Sequence, residues 1–235
     1  MEVRDLLDRE LAFLDCEMTG GDPVRNEIIE IGCARTRLPS LAAPTEMGVK
    51  VIPRTMRGSD KISIRIASYT PQKWKSAIPL ERALEDLRTF SAGCVLVGWA
   101  THHDLAFLNT AAARANMEPF FPDGYVELQT WAQQRFALPK SPGLQRIADQ
   151  LKIVRDEEHS ALEDALVTYE VFRMLWRFGP AQLPEVIPTL DWSSYATLAG
   201  PIELLPEEIE QRREEIVPHV VTDVRLDGLV GKARR

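Results

Sequence analysis

No apolar run in the 235-residue sequence reaches the roughly 18 residues that a membrane-spanning helix needs, so no membrane span is expected. The first ten residues are acidic and polar, which predicts no signal peptide. Cysteine is scarce. Cys16, Cys33 and Cys94 are odd in number, widely spaced and set in apolar runs, which argues against a disulfide framework. They read as reduced core thiols of a cytoplasmic protein. Internal repeats and low-complexity tracts are missing too. A basic excess is also lacking. Lys and Arg number 28 against 35 Asp and Glu, a net charge of −7, so the global electrostatic footprint of a nucleic-acid binder is absent.

The distribution of charge says more than its total. Between Lys50 and Lys75 lie Arg54, Arg57, Lys61, Arg65 and Lys73, with Asp60 the only acid. Such a strip on an acidic protein suits phosphate contacts, and equally a solvated loop face. Tyr69 and Trp74 within it are candidates for base stacking or for buried packing.

Composition is that of an ordinary globular chain, and the length suits one sizeable domain with an extension. Residues 11–17, 27–34 and 47–52 read as strands, the first two joined by the Gly20-Gly-Asp-Pro23 turn signal, which predicts an antiparallel meander. Ala83, Leu84, Leu87 and Phe90 sit at helical spacing. A short strand over 94–99, a helix over 104–115 and a short strand over 125–128 follow. Leu144, Ile147, Ala148 and Leu151 mark another helix, and Leu162, Leu166, Tyr169, Phe172 and Trp176 a long one. The order predicts an α/β sheet flanked by helices. After Phe178 the chain is punctuated by Pro180, Pro184, Pro188, Pro201 and Pro206. Residues 1–178 are therefore read as the main domain. Residues 179–235 are read as an extension holding one acidic helix over 207–217.

Three clusters carry chemistry. Asp15 and Glu17 are two apart, so on a strand both face one way while Cys16 turns back into the core. Two solvated acids at a strand end would look the same. Asp104 follows a buried strand and opens a helix, where an aspartate is also a good cap. His159 precedes Ser160 and Glu163, which have capping-box spacing, and Asp164 falls in the first turns of the helix. The histidine is placed to move a proton and the aspartate to be held rigidly, though a surface histidine before a cap and an aspartate complementing the helix dipole would look the same. Four carboxylates and one histidine are the set a two-metal phosphodiesterase site needs.

At these residues the sequence resembles the DEDDh family of 3′→5′ exonucleases, of the ribonuclease H-like fold. The likeness covers roughly residues 10–178. Phe13-Leu-Asp-Cys-Glu-Met-Thr-Gly20 is similar to the family's first motif, and Asn26-Glu-Ile-Ile-Glu-Ile-Gly32 to the strand after it. Val97-Gly-Trp-Ala-Thr-His-His-Asp104 resembles the second motif. Gly143-Leu-Gln-Arg-Ile-Ala-Asp-Gln-Leu-Lys-Ile153 resembles the helix before the third, and His159 with Asp164 the third itself. The resemblance implies a mixed sheet, a three-strand antiparallel meander plus parallel strands. It implies that Asp15, Glu17, Asp104 and Asp164 bind two divalent cations, Mg²⁺ or Mn²⁺. It implies that His159 deprotonates the attacking water, and that Met18 and Thr19 hold the 3′-terminal nucleotide.

Many members have His-Asn after the second motif's glycine and Phe before its aspartate. Here Trp99-Ala100 and His103 stand instead, so a different loop is expected with metal binding kept. His102 and His103 are open to a phosphate, metal or surface role. The implied activity is hydrolysis of 3′-terminal phosphodiesters of single-stranded DNA or RNA. The first motif resembles the oligoribonuclease branch and the later ones the proofreading branch, so both sugars stay open. An alternative is an accessory, proofreading-type subunit whose 179–235 segment docks a polymerase or another nucleic-acid enzyme.

Overall fold

The computed structural model describes residues 8–54, 56, 58–121, 123–154, 160–177 and 186–187. Its frame is one sheet built from β1 (Glu10–Met18), β2 (Ile28–Arg37), β3 (Thr45–Lys50), β4 (Val95–Gly98), β5 (Tyr125–Glu127) and β6 (Val186–Ile187). Their spatial order is β3-β2-β1-β4-β5-β6. β1 to β3 form the expected antiparallel meander, and β4 and β5 add in parallel to β1. The ribonuclease H-like mixed sheet is what the chain adopts. β1 is the central strand, and its apolar run is continuous because helices cover both faces of the sheet.

The alternation along β1 sorts the core. Ala12, Leu14 and Cys16 face a layer that includes Leu84 and Leu87 of α2 (Leu80–Phe90) and Leu105 and Leu108 of α3 (His102–Arg114). Leu11 and Phe13 face the opposite layer, built on α4 (Leu128–Arg135), α5 (Leu144–Leu151) and α6 (Ala161–Arg177). There Phe13 meets the edges of Tyr169 and Phe172, with ring centroids 5.5 and 5.4 Å away. Cys16, Cys33 and Cys94 are buried free thiols, as expected.

α6 crosses close over β2 because residue 32 is glycine. A Cβ there would lie 2.1 Å from the backbone carbon of Ala161. Gly32 pairs with Asp15 across the β1–β2 ladder, so the gap opens directly beside the first acidic cluster.

Two helices have no counterpart in the sequence reading. α4 follows β5 without an intervening turn, so no loop signal separates them. The other is α1 (Lys61–Ile66), six residues rich in isoleucine. It forms because Asp60 caps it, its carboxylate accepting the Ser63 N–H at 2.8 Å. Within the 179–235 segment, Val186–Ile187 pairs antiparallel with β5 as β6. The acidic helix expected over 207–217 lies outside the described residues, in which no helix is long and apolar enough to cross a membrane.

Candidate active site

On the α6 face, Leu11 and Phe13 are followed by Asp15 and Glu17. The period of 2 that buries the apolar pair therefore aims the acids at the start of α6. Asp164, in the first turn of that helix, comes to meet them. One carboxylate oxygen from each of Asp15, Glu17 and Asp164 lies within 4.8 Å of the others. Gln145 of α5 donates its side-chain N–H to Asp164 Oδ1 at 2.7 Å and fixes that carboxylate.

Asp104 arrives from the other layer. β1 pairs with β4 only from Leu11 to Phe13 and then runs on alone, which leaves the Cys16 N–H without a strand partner on that side. Asp104 Oδ1 accepts it at 2.9 Å. The carboxylate thus sits against the backbone link between Asp15 and Glu17. α3 has no side-chain cap of its own at Thr101, so the capping reading of Asp104 gives way to this long-range bond.

Burial of these acids is electrostatically unfavourable without a cation. Burial first, then the charges of Asp104, Asp164, Glu17 and Glu30, hold the Asp15 carboxyl well above the usual range. Glu17 is pushed up to about 8 by burial, then by Asp164, Glu30 and Asp104. Asp104 is pushed up to about 8 by burial and further by Glu127, against the lowering effect of the Cys16 N–H. Among the described residues, no cationic side chain is a leading cause of these three shifts. A self-repelling, all-oxygen donor set, with Asp104 and Asp164 buried and Asp15 and Glu17 half-buried, fits hard divalent cations such as Mg²⁺ or Mn²⁺.

A pH dependence follows. Unfolded carboxyls titrate near about 4. Glu17 and Asp104, at about 8, hold their protons more tightly when folded. The folded state binds more protons across that window, so stability is highest below it and is lost as pH rises through the folded values. In chelator, Tm should fall between about pH 5 and pH 8. Mg²⁺ or Mn²⁺ should raise Tm more at the upper pH, where no proton need be displaced. Thermal melts in both conditions check this, and a Tm that rises with pH in chelator contradicts it.

Two further acids, which the sequence reading gave no role, hold the surrounding backbone. Glu30 is 4% exposed on β2, and its Oε1 accepts from Lys50 Nζ at 3.0 Å and from Ser160 Oγ at 3.3 Å. Ser160 also accepts the Asp164 N–H on its carbonyl at 2.9 Å, so Glu30 anchors the start of α6. The available signal was a charged residue inside the otherwise apolar stretch 28–34. Glu127 accepts the N–H groups of Ala100, Thr101 and Gln129 at 3.0, 2.9 and 3.0 Å. It thereby holds the β4–α3 loop that delivers Asp104.

That loop carries the expected departure. Ala100 has φ +57°, the left-handed region that alanine occupies at a penalty of roughly 1–2 kcal/mol and asparagine tolerates. Ala100→Asn, which restores the residue type common in the family, should raise Tm by about 2–4 °C for each kcal/mol relieved. A lower Tm in a thermal melt contradicts this. His102 and His103 are half-buried rather than on the surface. His103 lies edge-on to Phe107, with ring centroids 5.2 Å apart. Burial, then His102, brings its pKa down to about 4.

Met18 ends β1 and Thr19 follows it, and both are buried. Thr19 donates its N–H to Glu27 O at 2.9 Å, accepts the Glu27 N–H on Oγ1 at 2.9 Å and accepts the Asp60 N–H on its carbonyl at 2.7 Å. His159 lies outside the described residues. Trp74 is buried, as its packing alternative has it, and donates its indole N–H to Ile29 O at 2.8 Å.

Comparison with known proteins agrees with this geometry. The exonuclease (RNase T) family model matches residues 12–172. The chain is similar to the PolC-type DNA polymerase III of Thermotoga maritima, 25% identical over 195 residues that make up 81% of this chain and 14% of that protein. It is similar to RNA exonuclease 4 of Debaryomyces hansenii, 28% identical over 169 residues, 68% of this chain and 56% of that one. It thus spans a small part of the first relative and about half of the second. Among solved structures, the nuclease domain of 3′hExo, a DEDDh member bound to rAMP, has the same fold. Its TM-score is 0.65 at 17% identity, covering 77% of this chain and 98% of that one. Matched by that model over more than half its length, and sharing the fold of a DEDDh member, the chain belongs to the exonuclease (RNase T) family.

Proposed function

We propose that the chain hydrolyses the 3′-terminal phosphodiester of single-stranded nucleic acid and releases nucleoside 5′-monophosphates. The observation that carries the reading is the convergence of Asp15, Glu17 and Asp164 within 4.8 Å, with Asp104 on the backbone between the first two. These four carboxylates would hold two divalent cations, Mg²⁺ or Mn²⁺. Such ions, when bound, supply positive charge to the scissile phosphate and acidify a water molecule.

The residues of the chain do the rest. The water oxygen forms a bond to phosphorus, and the bond from phosphorus to the 3′-oxygen breaks. The water proton goes to His159, and the leaving oxygen is protonated from solvent. His159 is assigned this role by its motif. Met18 and Thr19, at the end of β1, are assigned to the terminal nucleotide.

RNA exonuclease 4 and the rAMP-bound domain carry RNA chemistry in their names, and the PolC-type enzyme is a DNA polymerase. The proposal accordingly takes 3′ ends of either sugar. The PolC likeness also favours a compatible second reading, in which the 179–235 segment docks a polymerase. Loss of a recovered polymerase complex on truncation after residue 187 would support that reading.

Product identity tests the reaction. Chromatography of the released mononucleotide should show a 5′-monophosphate, and a 3′-monophosphate contradicts the assignment. His159→Ala should lower kcat by orders of magnitude, because the parts of such a site act as a unit. Unchanged turnover in steady-state assays removes His159 as the base.

A further inference from the structure

The basic strip at 50–75 divides in the folded chain. Lys50 is paired with Glu30 and lies over the Trp74 ring, 4.6 Å from its centroid. Arg54 is paired with Glu81. Lys61 and Arg65 have no acidic partner among the described residues, and they stand one helical turn apart on α1. With Ile64, Tyr69, Thr70 and Lys73 they line an open groove of about 520 Å³.

Three features mark this groove as a binding surface. First, α1 is tethered to the strand that carries Asp15 and Glu17, because the Asp60 N–H that precedes the helix is bonded to the carbonyl of Thr19, just past β1. Second, it offers a ring on a rigid support. Tyr69 packs against Trp74 with centroids 4.8 Å apart, and Trp74 is itself pinned to the β2 backbone at Ile29. Third, the segment from residue 52 to 66 that carries α1 is unusually apolar for a surface. Ile52, Met56, Ile62 and Ile66 are four of the six large apolar side chains exposed among the described residues. Cations, a held aromatic ring and exposed apolar side chains beside a nuclease centre are the ingredients of a single-strand track.

We propose that the α1 groove binds the backbone and a base of the substrate strand upstream of the scissile bond. Lys61 and Arg65 take phosphates and Tyr69 takes a base face. The inference rests on the exonuclease reading and deepens it, since it makes strands long enough to reach α1 the preferred substrates over dinucleotides. It also explains how a chain of net charge −7 holds nucleic acid, by local rather than global charge.

The test uses the full chain and two substrates. Anisotropy of a 5′-labelled single strand of about 20 nucleotides, in chelator across a range of salt, reads binding without turnover. Lys61→Gln with Arg65→Gln should weaken binding about tenfold and lower the logarithmic salt slope by about 1.4, or about 0.7 for each lost contact. The p-nitrophenyl ester of thymidine 5′-monophosphate is too small to reach α1, so both proteins should hydrolyse it at one rate in Mn²⁺. Unchanged affinity and slope overturn the proposal and leave this face to a protein partner. Equal losses on ester and strand also overturn it, by making α1 a support for the acidic site. If the native chain leaves the ester intact yet binds the strand through Lys61 and Arg65, the hydrolytic reading fails while the groove stands.

Discussion

Asp15→Asn should lower turnover by about 10³-fold or more while making the cation-free protein harder to melt. The two effects have one cause. Asp15 is surrounded by Asp104, Asp164, Glu17 and Glu30, and burial and these four charges all work against its ionised form. An amide in its place keeps the shape and removes one repelling charge. Near pH 8 in chelator, each kcal/mol so recovered should raise Tm by about 2–4 °C. Added Mn²⁺ should then stabilise the variant less than the native chain, because one ligand of the cation pair has become a weak one. A residue held only by packing would show the opposite pattern, a lower Tm with activity lost in proportion to unfolding. Melts with and without Mn²⁺, beside turnover on a labelled strand, separate the two. An Asp15→Asn protein that melts lower in chelator and keeps its turnover contradicts the placement of Asp15 in the hydrolytic centre.

Gly32→Ala should damage the site from beneath. The added Cβ would stand 2.1 Å from the backbone carbon of Ala161 and 2.2 Å from Leu162 N. Backbone cannot swing aside as a side chain does, so the start of α6 must lift from β2. Ordinary overpacking of a core costs about 1–3 kcal/mol, and a clash with helix backbone belongs at or above the top of that range. Lifting α6 carries Asp164 away from Asp15 and Glu17, and strains the Ser160 bond to Glu30. Turnover should therefore fall by about 10²-fold or more, in line with the penalty for a misplacement of about 1 Å. The cation concentration needed for half-maximal activity should rise as well, which a purely global loss of stability would not produce. Turnover against Mn²⁺ concentration, measured well below Tm, reads this directly. An unchanged Mn²⁺ requirement in a protein of lowered Tm would contradict the coupling of the β2–α6 contact to the site.

Much of this was legible because it is local. The acids at 15 and 17 share a face by strand periodicity, and the run from Leu11 to Phe13 shows which face is covered. Asp104 opening a helix after an apolar strand is likewise a short-range pattern, as is Asp164 early in α6. The bond from Cys16 N–H to Asp104 joins residues 88 apart, and it exists because β1 outruns β4. No spacing in the sequence carries that fact. Glu30 and Glu127 were missed for the same reason, since their partners Ser160 and Ala100 are neighbours only after folding. The helix at Lys61–Ile66 was hidden by its isoleucines, which favour strands until an Asp60 cap and contact with β1 decide otherwise. The basic strip shows the limit most clearly. Its members look alike in sequence, yet Lys50 and Arg54 are tied to acids while Lys61 and Arg65 face a groove. His159, singled out by its motif, lies outside the described residues.

The most direct test of the central claim is a time course on single-stranded DNA and RNA labelled at the 5′ end, in Mg²⁺ or Mn²⁺, with Asp15→Ala alongside. The expected result is a ladder that shortens one nucleotide at a time from the 3′ end, absent from the variant and from chelator. Intact strands of both sugars in the presence of either cation, or a ladder that Asp15→Ala leaves unchanged, would contradict the assignment of the acidic cluster as a 3′-exonuclease centre.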